Sequence, residues 1–374
     1  MTRHLTLAIL IMMAIRSSNL MAQSAEIPVV APESVGMSPD GLKAVDGIMR
    51  GYVDDKETVG GILMIARKGK ICFFESYGLA DRENGRLMEK DSILRFYSMT
   101  KAITTAGALM LCEEGKLDVN DPVSKFIPSV ANMKVATGGD WESLDDLPVV
   151  KKQMTVADLM RHTSGLTYGW TGNKSFDRLH QKAKPLDSLS PLSELDSKLP
   201  GIPLRFEPGT AWNYGVSTDV LGRVVEIAAE QPFEKFLQER FFDPLDMRDT
   251  GFDVSDEKDA ERFATCYQPS DDGLEPMKYE TEKYLKAYPF KSGGGGLVST
   301  ARDYMRFLMM IERGGELNGR RYLKPETVKL MTTNQIPEGA GWIRFGDEIR
   351  EGVGFGFGFC VRGVRPQKGH LRRD

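Results

Sequence analysis

Hydrophobic positions change their period several times along the chain, and each change marks an element. Leu42, Val45, Ile48, Met49 and Tyr52 recur at helical spacing behind Ser38-Pro39, a capping residue followed by proline at the first helical position. That pattern predicts an amphipathic helix to about Val53. Ile62-Leu63-Met64-Ile65-Ala66 and Ile71-Cys72-Phe73-Phe74 flank Lys68-Gly69-Lys70 and predict a β-hairpin. Because the hairpin is almost continuously apolar, both of its faces should be covered. Ala102 to Cys112 carries no charge, which predicts a helix buried on most sides and ending at Glu114-Gly115.

Further along, Thr155-Val156-Ala157-Asp158 has the form of a capping box, opening a short helix that stops at His162-Thr163-Ser164-Gly165. Another helix is expected from about Ser217, with Val220, Leu221, Val224, Val225 and Ile227 on its apolar face. One more covers roughly Phe233 to Phe241, and one follows the Thr300-x-x-Asp303 cap as far as Gly314-Gly315. Tyr168 to Leu204, by contrast, scatters aromatics and prolines without period and reads as a substrate-facing loop. Ser292 to Ser299 is a glycine-rich close-approach segment; it lacks the Gly-Lys-Ser/Thr that would make it a phosphate loop. Period-two alternation over Gly352–Val361 predicts a strand, followed by a basic tail to Asp374. No internal repeat is present.

Composition narrows the function classes. The chain has 374 residues, 41% hydrophobic and 27% charged, with a net charge of −4, which is ordinary for a globular protein with a large core. Mild acidity without a basic, aromatic-laced stripe gives no footprint for nucleic acid. The long apolar run is Leu5 to Ile15, preceded by Arg3 and His4 and followed by Ala22-Gln23-Ser24. It is too short to span a bilayer and has the form of an export signal over residues 1–24, with an uncleaved anchor as the alternative. The expected setting is secreted or periplasmic. Four cysteines (Cys72, Cys112, Cys266, Cys360) lie far apart and read as free thiols. The four histidines form no H-E-x-x-H or clustered Cys/His pattern, so no metal or cofactor is expected.

Candidate chemistry begins at Ser98-Met99-Thr100-Lys101. A helix brings residues i and i+3 to one face, so the Ser98 hydroxyl and the Lys101 amine can meet. The apolar run behind them would desolvate the lysine, one route to an activated hydroxyl. The same S-x-x-K spacing at Ser255–Lys258 leads instead into Asp259-Ala260-Glu261-Arg262, where the lysine would simply be solvated. Ser164 lacks the preceding glycine of a G-x-S-x-G elbow, which argues against an α/β-hydrolase. His162, at a helix end, reads as structural. Tyr214 lies on a loop just ahead of a helix, where a phenol can point into a cleft.

Four stretches in this order resemble one family: Tyr97-Ser98-Met99-Thr100-Lys101; Leu159-Met160-Arg161-His162-Thr163-Ser164-Gly165-Leu166; Phe206-Glu207-Pro208-Gly209-Thr210 with Tyr214; and Gly294 to Asp303. The chain resembles the serine β-lactamase and penicillin-binding-protein superfamily, in its class C-like branch with the β-lactamase-fold carboxylesterases. The likeness runs from about Val30 to Val361. It implies an α/β (α+β) fold, an antiparallel sheet flanked by helices with a mainly helical subdomain beside it. Residues 25–95 and 290–374 would form the sheet part and 96–289 the helical part. The resemblance makes Ser98 the nucleophile, with Lys101 and Tyr214 as its base system and the Ser98 amide as one oxyanion donor. Tyrosine and lysine both titrate near 10 in water, so a working pair needs at least one perturbed member.

Two departures from the family pattern shape the expected activity. Tyr214-Gly215-Val216 replaces the Tyr-x-Asn of β-lactamases, and valine cannot offer the asparagine's hydrogen bond to an acylamide. Lys368-Gly369-His370 stands where the family has a Lys-Thr-Gly, His-x-Gly or Trp-Gly-Gly strand, so the C-terminal sheet strands are expected to be missing. The expected function is hydrolysis of a small-molecule ester or amide substrate, with small esters preferred. A β-lactamase or D-alanyl-D-alanine peptidase is the alternative within the fold. A truncated, catalytically dead homologue, keeping the fold and acting only as a binding or degenerate protein, is the alternative from another class.

Overall fold

The computed structural model describes residues 26–136, 141, 143–345 and 348–363. The expected leader and the Lys368–His370 segment lie outside these residues. Helix α1 (Pro39–Asp54) begins as anticipated, with the Ser38 hydroxyl accepting from the Gly41 amide at 3.2 Å and Pro39 in the first turn. Strands β1 (Gly60–Arg67) and β2 (Lys70–Asp81) form the antiparallel hairpin, with an irregularity at Ile65/Ala66. β3 (Arg86–Leu87) joins the far side of β2, giving the order β1-β2-β3.

Helices cover both faces of this hairpin. Tyr77 on β2 donates to Asp46 of α1 at 2.9 Å. Phe74, three residues earlier and therefore on the opposite face, lies under the Arg302 guanidinium at 5.5 Å. Arg302 belongs to the helix that follows the Thr300 cap. Among the described residues β1 pairs with no strand besides β2, so its outer edge carries unpaired backbone groups.

The interior is helical. After β4 (Leu94–Arg95) the chain makes one 3₁₀ turn at Tyr97–Met99 and enters α2 (Thr100–Glu113), in which every residue from Thr100 to Leu111 is buried. Around it stand α3 (Val156–Met160), α4 (Lys174–Ala183), α5 (Ser217–Ala229) and α6 (Phe233–Leu237), followed by β5 (Val298–Ser299), α7 (Ala301–Glu312) and α8 (Pro325–Thr332). α5 packs against both α2 and α3. One core joins Ile103 and Leu109 of α2, Val220 and Leu221 of α5, and Phe233 and Phe236 of α6. The Thr155/Asp158 capping box forms in full, and Thr300 caps α7 by accepting from the Asp303 amide. β4 pairs antiparallel with β5, which fastens the entrance of α2 to the glycine-rich segment.

Three expectations need correcting. Residues 168–204 are not one loop. They contain α4, capped by the Asn173 side chain, and short helical turns between Leu192 and Gly201. Only Phe176 and the half-buried Leu179 marked the apolar stripe of α4; its other buried position is His180, which carries no hydrophobic signal. The alternation at Gly352–Val361 is not one strand but a hairpin of β6 (Val353–Phe355) and β7 (Cys360–Arg362). The Gly356 amide closes the turn by donating to the Phe359 carbonyl at 2.8 Å, and Gly358 takes the left-handed backbone the turn needs (φ +83°). The helix at Phe233 gives way to a wider π turn over Gln238–Phe242.

Candidate active site

The strand-to-helix passage at Arg95–Lys101 positions the candidate nucleophile. Phe96 anchors it by donating its amide to the Leu297 carbonyl at 2.9 Å. Tyr97 then takes a left-handed backbone (φ +44°), a costly conformation for a bulky residue. The Arg95 guanidinium lies 3.7 Å from the centre of the Tyr97 ring and is ion-paired with Glu280, which holds the turn from outside. Ser98 emerges exposed, while Lys101, one helical turn on, is only 4% exposed.

Lys101 is held by neutral oxygens. Its Nζ donates to Ser98 Oγ at 3.1 Å, to the Gly294 carbonyl at 2.5 Å and to the Tyr168 hydroxyl at 3.4 Å. No carboxylate pairs with it among the described residues. Behind Gly294 stands Asp219, in the first turn of α5 and 1% exposed, accepting from the Gly294 amide at 3.0 Å and from Ser292 Oγ at 2.5 Å. Burial pushes the Asp219 carboxyl up, against the pull of the Lys101 charge. The same residue, Gly294, thus touches the lysine through its carbonyl and the aspartate through its amide. A Cβ on Gly294 would sit 2.4 Å from Asp219 Oδ2, and one on Gly293 would sit 2.6 Å from the Thr218 carbonyl. The glycine run is the close-approach segment the sequence suggested.

Tyr214 comes to the same place by a different contact. Lys101 Nζ lies 4.7 Å from the centre of its ring, so the ammonium meets the π face. No described hydrogen bond joins the Tyr214 hydroxyl to Ser98 or Lys101. Its loop is pinned by Asn213, whose amide donates to the His162 carbonyl at 2.9 Å and whose side chain donates to the Leu166 carbonyl at 3.1 Å. His162 packs its ring 4.7 Å from that of Tyr214. Burial, and then the Lys101 charge, hold the imidazole well below its ordinary value, and Nδ1 has no partner. A neutral, buried imidazole fits the structural reading of His162.

Two neighbours of the lysine were missed in the sequence. Tyr168, stacked on Trp170 at 5.4 Å, bonds Lys101 directly; burial pushes its phenol far above its ordinary range, so it stays protonated. Its signal was the cluster Tyr168-Gly169-Trp170 just after the short helix. For Asp219 the signal was an acidic residue at the head of an otherwise apolar helical face. The twin motif behaves as expected: Ser255 donates to Asp253, and Lys258 is exposed. All four cysteines are free; of these thiols, expected to be buried, only Cys72 is, while Cys112 and Cys266 are half-buried and Cys360 is exposed. Among the described residues no group of three or more His, Cys, Asp or Glu side chains gathers to hold a metal ion.

This arrangement can be set beside known proteins. The β-lactamase family model matches residues 45–370. Esterase EstB of Burkholderia gladioli is 33% identical over 287 residues, covering 71% of this chain and 69% of that protein. Protein Rv1367c of Mycobacterium tuberculosis is 33% identical over 309 residues, covering 81% and 74%. Among solved structures, EstCE1, a hydrolase with promiscuous acyltransferase activity, superposes with a TM-score of 0.73 at 25% identity, covering 86% of this chain and 83% of that one. A buried lysine on an exposed serine, a helical core beside a hairpin sheet, and relatives that are esterases and acyltransferases agree. The chain belongs to the β-lactamase family and is a serine hydrolase of that fold.

Proposed function

We propose that the protein hydrolyses small carboxylic esters through an acyl-enzyme on Ser98. The observation that carries this reading is the 3.1 Å contact between an exposed hydroxyl and a lysine that is buried without a carboxylate partner. Ser98 Oγ attacks the ester carbonyl while its proton passes to the Lys101/Tyr214 pair. The bond to the alcohol then breaks, and the pair returns the proton to the departing oxygen. Water repeats the sequence on the acyl-serine. The Ser98 amide, at the head of α2 where helix amides lack an intrahelical acceptor, supplies an oxyanion donor. The apolar Leu5–Ile15 run behind Arg3 supports export as the setting.

Esters are favoured over β-lactams and peptides by position 216. Val216 is 1% exposed and belongs to the main core, so the place where β-lactamases present an amide to substrate is occupied here by packing. The test compares wild type with Ser98→Ala on p-nitrophenyl acetate and on a chromogenic cephalosporin. Ester turnover should exceed cephalosporin turnover, and Ser98→Ala should lose on the order of 10³-fold or more. Faster cephalosporin cleavage would transfer the assignment to a β-lactamase. No turnover of either substrate by wild type would favour the dead homologue.

A further inference from the structure

Beside the base site lies a cavity of about 330 Å³, lined by Tyr168, Trp170, His180, Lys184 and Leu186 among others. Tyr168 is common to the cavity lining and to the base site, where its hydroxyl accepts from Lys101 Nζ at 3.4 Å. Trp170 extends that wall. Its ring lies nearly parallel to Tyr168 (22°) yet is 86% exposed, leaving a large flat apolar face uncovered. The platform is built rather than incidental. The Thr171 amide and hydroxyl both donate to Asp177 of α4 at 2.9 Å, and Asn173 caps that helix. Gly169 approaches His180 so closely that a Cβ would sit 2.7 Å from the histidine Cβ.

The lining also indicates which ligand fits. Lys184 and Asp187 carry opposite charges, and burial holds His180 below its ordinary value, so the walls have no net charge. The volume is at the lower end for small-molecule sites, which suits one compact ring system. Proton traffic favours one side of the substrate: the departing alcohol must sit by the group that protonates it, and Tyr168, which contacts that group, also lines the cavity. We propose that this cavity holds the leaving alcohol of the substrate, and that the alcohol is a neutral aromatic one stacking on Trp170. The inference rests on the ester-hydrolase reading for the alcohol's role, but not for its binding.

Titration of free 2-naphthol into wild type, Ser98→Ala and Trp170→Ala, read by calorimetry, separates the two. Wild type and Ser98→Ala should bind it equally, while Trp170→Ala should bind about tenfold more weakly, the scale of one aromatic stacking contact. Rates on two acetates complete the test. Trp170→Ala should lower kcat/KM about tenfold for 2-naphthyl acetate and leave methyl acetate within twofold, because the acyl group is the same. Naphthol binding indifferent to Trp170, or equal losses on both acetates, overturns the cavity assignment and leaves the hydrolase reading intact. Trp170-dependent binding in a wild type that turns over neither acetate overturns the hydrolase reading and keeps the aromatic site. Trp170 is 86% exposed and belongs to no buried cluster, and the methyl acetate rate reads any loss passed through Tyr168, on which it stacks.

Discussion

Lys101 decides whether Ser98 is a nucleophile or merely a surface hydroxyl. A lysine that served only as a fixed positive charge could be replaced by arginine, which stays protonated at all accessible pH values. A lysine that accepts the serine proton could not. Lys101→Arg should therefore lose kcat/KM on p-nitrophenyl acetate by about 10²- to 10⁴-fold, comparable with Lys101→Ala. Retention of activity in Lys101→Arg would mean that the contact at 3.1 Å is electrostatic. At this scale the sequence was informative where a motif had fixed spacing. Ser98 and Lys101 are three apart and meet through one helical turn. Tyr168 and Asp219 meet Lys101 from 67 residues away and through Gly294, and no local pattern encodes such contacts.

Elements follow local rules until tertiary packing overrides them. The caps at Ser38, Thr155 and Thr300 were legible because each is a short-range exchange between a side chain and the first-turn amides. α4 was not, because its inward face includes His180 and its outward face is charged. The Gly-Phe alternation was misread because period two is shared by one strand and by a hairpin. The left-handed Gly358 and the bond from the Gly356 amide to the Phe359 carbonyl make it the latter. α7 carries a pH signature. Burial raises the Asp303 carboxyl to about 6, with the like charge of Asp249 adding to it and the hydrogen bond from the Asp249 amide opposing it. Its reference value of 3.8 is lower. The folded state thus binds the proton more tightly, and this contribution is complete below about 4 and lost as pH rises through about 6. Unfolding free energies measured from pH 4 to 7 should fall more in wild type than in Asp303→Asn, by about 2 kcal/mol. Parallel curves for the two proteins would contradict the buried carboxyl as the source.

The whole molecule places one fully enclosed helix beside a sheet that is open on one side. α2 is buried along its length, whereas β1 has one edge without a strand partner among the described residues. Hydrogen exchange should reflect this: the amides of α2 exchange at the slowest, global rate, and the β1 amides directed away from β2 are among the fastest in the sheet. Uniform protection across β1 would reveal a partner on that edge. Fold class was legible because four short stretches, Tyr97–Lys101, Leu159–Leu166, Phe206–Thr210 with Tyr214, and Gly294–Asp303, stand in the order of one family. The joining of distant segments into one site was not, since it depends on glycines and a buried aspartate that bring α2, α5 and the 292–299 segment together. The central claim, that Ser98 is the nucleophile, is tested most directly by labelling with a fluorophosphonate and mapping the modified peptide by mass spectrometry. One adduct is expected, on Ser98, absent in Ser98→Ala and strongly slowed in Lys101→Arg. Labelling that persists in Ser98→Ala, or an unlabelled wild type, would contradict it.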